Sequence, residues 1–265
     1  MTSPHPIARV PGILAQIVSV KQLALPLLQQ RASALERLAA DNISAHRDFA
    51  SALQTTPAII AEMKKASPSR GLLAHDFSPV RLAKQYELGG AAAISVLTDE
   101  EFFQGSLSDL EAARAACHLP ILRKDFTIHP LQIVEAAAHG ADAILLIAAI
   151  LDSAEMRTFR ELAASLGLAA LVEVHTADEL QAAIDSGARL IGVNNRDLHT
   201  FKVRLELALD LAESIPSDVT RVAESGIFTA ADVRRLGDAG YQAFLVGEAL
   251  MKSRDPAEAL KALRG

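Results

Sequence analysis

The stretch AILLIAAILDSAEMRTFRELAASLGLAALVEVH, residues 143–175, decides the fold class of this chain. It opens on a short apolar run, continues through a segment with helical periodicity, and ends on a second apolar run. Both runs are almost continuously apolar, whereas a strand with one face in water alternates polar and apolar residues. A buried strand, a helix and another buried strand predict two parallel strands joined by a crossover helix.

The same strand-then-helix pattern recurs along most of the chain. Helical periodicity follows the apolar runs, for example at 79–88, 131–139, 153–166, 177–186 and 230–239. The eight runs that we interpret as strands are 57–64, 92–98, 120–125, 143–147, 170–175, 190–194, 220–224 and 243–246. Eight such units in 265 residues predict an α/β fold, a (β/α)8 TIM barrel. A doubly wound open sheet is the alternative, but no Gly-x-Gly-x-x-Gly follows the first run, which weakens its dinucleotide-binding form.

The first fifty or so residues do not follow this repeat. Residues 13–20 and 35–40 have the periodicity of amphipathic helices, with Pro26 between or near them. No Gly/Ser-rich linker separates this region from residue 57. We therefore expect a single barrel domain over residues 1–265, in which about residues 1–50 form a helical extension packed on the barrel.

The composition limits the class of protein. The chain has 26 Lys and Arg against 32 Asp and Glu, a net charge of −6, so it has no basic surface suited to nucleic acid. Its single cysteine, Cys117, cannot form an internal disulfide, and we interpret it as a packing residue. The longest apolar run, 143–151, is about half of what a bilayer span needs. We expect a cytoplasmic protein that binds neither nucleic acid nor a membrane.

Charged and polar residues gather where five of the predicted strands end, at 62–65, 123–125, 173–175, 194–197 and 224–226. In a barrel these ends meet at one rim, and that rim carries the active site. A charge inside a buried strand is costly unless it is paired or reaches water. A polar substrate is the simplest reason for five such ends. The alternative is a buried network of Lys64 and Lys124 with Glu62 and Glu173 that only holds the barrel together.

The alternation of side chains along a strand groups some of these residues. Glu62 and Lys64 share one face of the first strand. Arg123 and Lys124 point to opposite faces of the third, so only one of them can enter the barrel mouth. The sequence leaves open which of the two does so.

Two glycine-bearing turns follow the last two predicted strands. Gly226 lies in the first turn and Gly247 in the second. Barrels often bind phosphate at these turns, where backbone N–H groups can approach an anion closely. The two glycines together predict a phosphate site, although plain turn glycines are the alternative. The acidic Glu248 beside Gly247 is unexpected next to an anion.

Aromatic residues make up 4% of the chain, so those near the predicted rim stand out. Phe103 follows the second strand and Phe126 the third, and both suit an apolar wall for a ring-bearing substrate, with ordinary loop packing as the alternative. The eight histidines show no metal-ligand spacing on a helix, so we expect no metal.

Seven groups of residues resemble motifs of the indole-3-glycerol phosphate synthase family. In chain order they are IAEMKKASPS (60–69), AISVLTD (93–99) with FQGS (103–106), LRKDF (122–126), LVEVH (171–175), IGVNNRDL (191–198), ESGI (224–227) and LVGE (245–248). They run in order from about residue 57 to the C terminus, and the helical N-terminal region also suits the family. The length resembles the monofunctional form, without a fused isomerase barrel.

This family converts 1-(2-carboxyphenylamino)-1-deoxyribulose 5-phosphate to indole-3-glycerol phosphate, CO2 and water in tryptophan biosynthesis. The resemblance implies a general acid at Lys124 and a general base at Glu173. At Lys64 it implies a lysine that pairs with the substrate carboxylate and can donate a proton during dehydration, and it leaves open which lysine acts at which step. It implies that Glu62 and Asn194 position these groups. Because an ordinary lysine titrates near about pH 10.4, we expect a neighbouring ammonium group or a dry pocket to lower the pKa of Lys124.

The resemblance also implies which residues hold the substrate. The substrate-binding residues are Ser67, Arg196, Phe103, Phe126, Leu97, Leu145, Ile147 and Leu198, and the phosphate-binding residues are Ser225, Gly226, Gly247 and Glu248. We expect a phosphorylated small molecule as the partner, no cofactor, and a monomer or weak homo-oligomer. Two alternatives are another phosphate-binding barrel, such as the isomerase acting one step earlier, and a barrel that has lost catalysis.

Overall fold

Eight parallel strands close into a barrel in the computed structural model, which describes residues 12–68, 70–74, 76–197 and 200–265. Together with two short strands outside the barrel, the described residues form ten strands: β1 (Ala58–Met63), β2 (Ala66–Ser67), β3 (Gly71–Leu72), β4 (Ala93–Leu97), β5 (Ile121–Lys124), β6 (Ala143–Ile147), β7 (Ala169–Val174), β8 (Leu190–Asn194), β9 (Thr220–Glu224) and β10 (Ala243–Val246). β2 and β3 form a small antiparallel pair outside the barrel. Each barrel strand pairs in parallel with its neighbour along the chain, and β10 pairs with β1 to close the ring.

Helices surround this barrel. They are α1 (Gly12–Gln30), α2 (Ala32–Asn42), α3 (Phe49–Ala52), α4 (Pro79–Leu88), α5 (Glu100–Phe103), α6 (Leu107–Ala116), α7 (Pro130–Ala138), α8 (Ser153–Ser165), α9 (Ala177–Asp185), α10 (Glu206–Leu211), α11 (Ala230–Asp238), α12 (Glu248–Met251) and α13 (Pro256–Arg264). The predicted TIM barrel with an N-terminal helical region is thus confirmed.

The predicted strand positions agree with the structure to within one residue at each end. Four of them, 143–147, 190–194, 220–224 and 243–246, have the predicted bounds. Every residue of β1, β4, β6 and β10 is buried, which is the pattern of strands covered on both faces. The continuous apolar runs were therefore the right signal for this sheet.

Side-chain caps fix where many of the outer helices begin. The N-cap side chains that accept a hydrogen bond from the first turn are Ser78, Ser106, His129, Asp152, Thr176, Thr229 and Asp255. Such a cap stabilises a helix by about 1 kcal/mol, because it satisfies a backbone N–H group that has no partner inside the helix. The caps help to define the loops that lead from each strand to its helix.

The N-terminal helix differs from its prediction in one respect. α1 runs from Gly12 to Gln30, so it extends beyond the predicted residues 13–20 and contains Pro26. A proline in a helix leaves the carbonyl four residues earlier without its usual donor. Pro26 is exposed, so water can reach this part of the helix. α2 then packs along α7 on the outside of the barrel.

Cys117 follows α6 and is buried in the hydrophobic core. Its Sγ donates to the carbonyl of Ala113 at 3.4 Å, and burial raises the pKa of its thiol. The interpretation of Cys117 as a packing residue is confirmed.

Candidate active site

One pocket lies at the carboxyl ends of the barrel strands, where the charged strand ends meet. Its polar wall includes Glu62, Lys64, Lys124, Glu173 and Asn194, the five residues to which the resemblance gives catalytic roles. The structure therefore brings together side chains from β1, β5, β7 and β8 that lie up to 132 positions apart in the sequence, from 62 to 194. The deepest of these side chains are buried from bulk water but face the pocket.

At the end of β1, Lys64 and Glu62 form a close ion pair. The Nζ of Lys64 donates to Oε1 of Glu62 at 2.5 Å. A Cβ atom on Gly247, in the turn after β10, would lie 2.5 Å from the same oxygen. Glycine at position 247 is thus needed for the close approach of this turn to the Glu62 carboxylate.

Lys124, at the end of β5, lies between two carboxylates. Its Nζ donates to Oε2 of Glu173 at 2.6 Å and to Oε2 of Glu224 at 2.7 Å. Its neighbour Arg123 points away from the pocket and pairs with Glu135 on α7 at 2.9 Å. The structure thereby resolves the question that the sequence left open, since Lys124 is the residue that enters the barrel mouth.

The pKa of Lys124 is shifted by the carboxylates around it. Burial opposes the charge of Lys124, but the carboxylates of Glu173, Glu224 and Glu62 outweigh it and raise the pKa of the lysine. The expectation that this pKa would be lowered is wrong, because the groups nearest to Lys124 are anions rather than a second ammonium group. The lysine is fully protonated at neutral pH in the free pocket.

The two carboxylates differ from each other. Burial raises the pKa of Glu224 to about 7, and the negative charge of Glu173 contributes, while Lys124 opposes the shift. The pKa of Glu173 is instead lowered, because Lys124 and His175 outweigh the effect of burial. One ammonium group between two buried carboxylates favours the full ionisation of only one of them near neutral pH.

Glu224 had no predicted role. Its Oε1 is buried and has no hydrogen-bond partner among the described residues. A Cβ atom on Gly192 of β8 would collide with this oxygen, so glycine at that position leaves room for the carboxylate. The sequence did contain a signal for Glu224, since it is a charged residue at the end of a predicted strand and begins the ESGI motif. Glu173 lies near the end of its own predicted strand in the same way.

The predicted phosphate-binding residues all line the pocket. Ser225 and Gly226 have φ values of +66° and +80°, a left-handed conformation that is uncommon for serine. Two successive residues of this kind form a sharp turn after β9. Gly247 and Glu248 follow β10 next to it, so the two glycine-bearing turns do lie side by side.

The acidic Glu248 is explained by the cations around it. Its carboxylate lies 2.6 Å from Nζ of Lys252, 3.6 Å from Arg70 and 3.9 Å from Arg196. The hydrogen bond from Lys252 and the neighbouring positive charges lower the pKa of Glu248. Arg70 lines the pocket and was not predicted; no strand-end or turn signal marks it.

Apolar residues line the same pocket and form what we call its apolar wall. It contains the predicted residues Leu97, Phe103, Phe126, Leu145 and Ile147. The rings of Phe103 and Phe126 pack against each other, with centroids 6.0 Å apart. Ser67 and Arg196 also line the pocket, whereas Leu198 lies outside the described residues.

Part of the pocket wall comes from α1, which the sequence did not indicate. The apolar residues that α1 adds are Ile13, Leu14 and Ile17, and the unpredicted apolar residues from later loops include Phe201 and Phe228. The periodicity of α1 showed an apolar face but not what that face covers.

A single lysine ties α1 to the loops that carry the aromatic wall. Nζ of Lys21 lies 2.9 Å from Asp99 and 2.6 Å from Asp125. Asp99 caps α5, the helix that ends at Phe103, and Asp125 immediately precedes Phe126. The two carboxylates raise the pKa of Lys21 despite its burial. Lys21 thus connects three segments of the pocket wall.

Comparisons with known proteins identify the family. A family model described as indole-3-glycerol phosphate synthase matches residues 14–263. The chain is 49% identical over 265 residues to indole-3-glycerol phosphate synthase of Aromatoleum aromaticum, covering 96% of this chain and 99% of that one. It is 54% identical over 219 residues to the protein of the same name from Chloroherpeton thalassium, covering 81% and 84%.

Solved structures that are similar to this chain show the fold alone. Thiamine phosphate pyrophosphorylase from Pyrococcus furiosus gives a TM-score of 0.58 at 19% identity, covering 78% of this chain and 94% of that one. N-acetylmannosamine-6-phosphate 2-epimerase from Clostridium perfringens gives 0.59 at 17% identity, covering 77% and 92%. The barrel is common to all of them, whereas the match at 49% and 54% identity is to indole-3-glycerol phosphate synthases. The chain therefore belongs to the indole-3-glycerol phosphate synthase family, carboxy-lyases of tryptophan biosynthesis.

Proposed function

We propose that this pocket closes the indole ring of 1-(2-carboxyphenylamino)-1-deoxyribulose 5-phosphate, releasing CO2 and water to give indole-3-glycerol phosphate. The observation that carries the proposal is the placement of Lys124 between Glu173 and Glu224, 2.6 and 2.7 Å away, in a pocket that apolar side chains also line. This arrangement supplies a proton donor and a proton acceptor beside a surface that suits an aromatic ring.

The test is an assay on the purified chain. We expect the indole fluorescence of the product to appear when the substrate is added, in the presence of a chelator and without nucleotide. A substrate analogue whose keto group has been reduced should bind but give no fluorescence change from turnover. Absence of product at any enzyme concentration would contradict the proposal.

We assign Lys124 the role of acid in ring closure, where it protonates the keto oxygen while the aromatic carbon attacks. Its raised pKa keeps the proton on the lysine until the oxygen becomes strongly basic, which happens only as the bond forms. Glu173, whose pKa is lowered, is ionised and available as the base for dehydration. It takes a proton from the ring carbon next to nitrogen, while the hydroxyl group receives a proton from one of the two lysines and leaves as water. Loss of CO2 restores the aromatic ring, so the proposed chemistry requires no electron-sink cofactor.

Substrate binding divides along the pocket. We place the phosphate at the turns of Ser225, Gly226 and Gly247, because glycine and left-handed backbone give an anion access to N–H groups. The Glu248 side chain is bound to cations, so its negative charge is compensated there. The ring then lies against the aromatic wall, with the substrate carboxylate towards Lys64.

The first prediction concerns Lys64→Met, which keeps a similar length and apolar bulk but removes the charge. We expect the variant to lose at least about tenfold more affinity for the reduced substrate analogue than for indole-3-glycerol phosphate. The product has lost the carboxylate, and a hydrogen bond to a charged group contributes about 1.5 to 3 kcal/mol. Two titrations of wild type and variant, at one pH and ionic strength, measure the difference.

Lys65→Met is the matched control. Lys65 follows Lys64 in the chain but does not line the pocket, so its loss should weaken both ligands little. If Lys64→Met weakens both ligands by the same factor, Lys64 does not bind the carboxylate. It would then serve the phosphate, or hold Glu62 in place.

The second prediction uses the pH dependence of kcat/KM. Above about pH 7 Glu224 loses its proton, so two full negative charges hold the proton on Lys124 and make it a weaker acid. We expect the kcat/KM of wild type to fall on the alkaline side of this pKa. In Glu224→Gln this decline should disappear, since glutamine does not titrate. An unchanged alkaline limb in the variant would show that another group causes it.

The remaining expectations stay proposals. We propose a cytoplasmic enzyme, a monomer or weak homo-oligomer, that takes a phosphorylated small molecule and binds neither nucleic acid nor a membrane. α1 is the one helix in the described part of the chain that is long and apolar enough to cross a membrane, by length and composition only. Its ion pairs through Lys21 and its contribution to the pocket wall support a place on the barrel instead.

A further inference from the structure

His175 lies one residue beyond β7, beside the proposed base. Its side chain is 8% exposed. Nδ1 of the imidazole lies 3.1 Å from Oε2 of Glu179 on α9, and the same oxygen accepts the backbone N–H of His175 at 2.7 Å. Glu179 therefore holds both the backbone and the ring of His175 in place.

The other ring nitrogen is buried next to the proposed base. Nε2 of His175 lies 3.4 Å from Oε1 of Glu173, the oxygen that Lys124 does not contact. The Glu173 carboxylate thus lies between two basic side chains, with His175 beside Oε1 and Lys124 beside Oε2. Glu224 has Lys124 on one oxygen, and the other oxygen has no hydrogen-bond partner among the described residues. The pair of carboxylates that shares Lys124 is asymmetric because of His175.

We propose that His175 is a positioning residue that carries a positive charge and determines which carboxylate beside Lys124 remains ionised. With His175 charged, Glu173 keeps its negative charge as the base, and the proton that the two carboxylates share goes to Glu224. The proposal rests on the proposed function for its catalytic consequence, but the charge of His175 can be measured without turnover.

The charges around these groups are consistent with this role. The described groups that face His175 are Glu173 from β7 and Glu179 from α9, both carboxylates. Glu173 in turn faces Lys124 from β5, which also contacts Glu224 from β9. Although burial opposes the charge, the two carboxylates raise the pKa of His175 to about 10.

The first measurement is an NMR titration of the imidazole groups in the substrate-free wild type. His175→Gln identifies the signal by its disappearance. We expect His175 to remain protonated from pH 6 to pH 8.5, far above the ordinary histidine pKa of about 6.5. A midpoint near that ordinary value would overturn the proposal, whatever the activity of the enzyme.

The second measurement is the pH dependence of kcat/KM in His175→Gln, expressed as a ratio to wild type. Removing the cation raises the pKa of Glu173, so the base is protonated up to a higher pH. One pKa unit is a tenfold change in the ionised fraction. We expect a loss of about tenfold or more at pH 6 that shrinks to about threefold or less at pH 8.5, where Glu173 is ionised in both proteins.

His139→Gln is the matched control, because His139 also pairs with a glutamate, Glu111, at 2.7 Å, but this glutamate does not line the pocket as Glu173 does. The kcat/KM of His139→Gln, divided by that of wild type, should stay close to one at every pH. A loss in His175→Gln that is the same at all pH values would mean a merely structural role and overturn the proposal. If wild type itself makes no indole product, the proposed function fails, and the NMR titration alone still decides the charge of His175.

Discussion

Replacing Lys124 with alanine is expected to lower kcat by about 10² to 10⁴, the usual contribution of a general acid. Lys124 is the only cation within hydrogen-bond reach of both Glu173 and Glu224 in the described part of the chain, so no neighbour takes over proton donation at that point. The measurement is steady-state formation of the indole product over a range of substrate concentrations.

The fold should survive this substitution. The two carboxylates left behind face the pocket, where one of them can take up a proton instead of remaining as an unpaired buried charge. Far-UV circular dichroism and a cooperative thermal transition verify that the barrel is intact. Retention of near wild-type turnover in a folded Lys124→Ala variant would exclude Lys124 from the acid role.

Lys124→Arg separates proton donation from charge. Arginine keeps a positive charge between the carboxylates, but it does not give up its proton under these conditions. We expect this variant to be as stable as wild type or nearly so, with turnover almost as low as in the alanine variant. Substantial activity with arginine would show that position 124 needs only a positive charge.

Ser225→Asp is expected to abolish measurable binding of the substrate and of the reduced analogue, a loss of at least about a hundredfold in affinity. An added carboxylate at the proposed phosphate site repels the phosphate dianion and occupies part of its space. The backbone tolerates the change, because aspartate is among the residues that adopt the left-handed conformation found at position 225. Calorimetric titration with the analogue measures the loss without turnover.

Ser225→Asn is the matched control, because asparagine has the same size as aspartate and the same tolerance for positive φ, but carries no charge. It should bind the analogue considerably better than the aspartate variant does. Glu173→Gln provides the opposite comparison, because it keeps the shape and removes only the base, so it should mainly lower kcat. Equal losses of affinity in Ser225→Asp and Glu173→Gln would contradict the division between phosphate binding and catalysis.

The sequence predicted the barrel well because each strand is a local, continuous apolar run. The ends of those runs also placed Lys124, Glu173 and Lys64 at one rim, which follows from the parallel direction of the strands. Glu224 also lies at the end of a predicted strand, although no role was predicted for it. For these residues, topology and the alternation along a strand carry most of the information.

Other features depend on contacts that have no local signature. The apolar face of α1 predicts a helix, but not that Lys21 reaches Asp99 and Asp125 on two separate loops. The pKa of Lys124 also depends on which charges lie nearest, and that was set by three other strands. The sequence alone predicted the secondary structure, but it did not predict which charged side chains from distant segments lie next to each other.

Gly192 has a consequence for anyone who screens variants of this enzyme. It does not line the pocket, yet the space where a methyl group would lie is occupied by the Glu224 carboxylate. A library scored by growth without tryptophan would therefore rank position 192 among the most sensitive, alongside residues that contact the ligand. Substitutions at position 192 would fail because the Glu224 carboxylate needs that space, and not because Gly192 contacts the substrate. A mutational map of this barrel therefore identifies substrate contacts only when it is combined with the exposure of each side chain to the pocket.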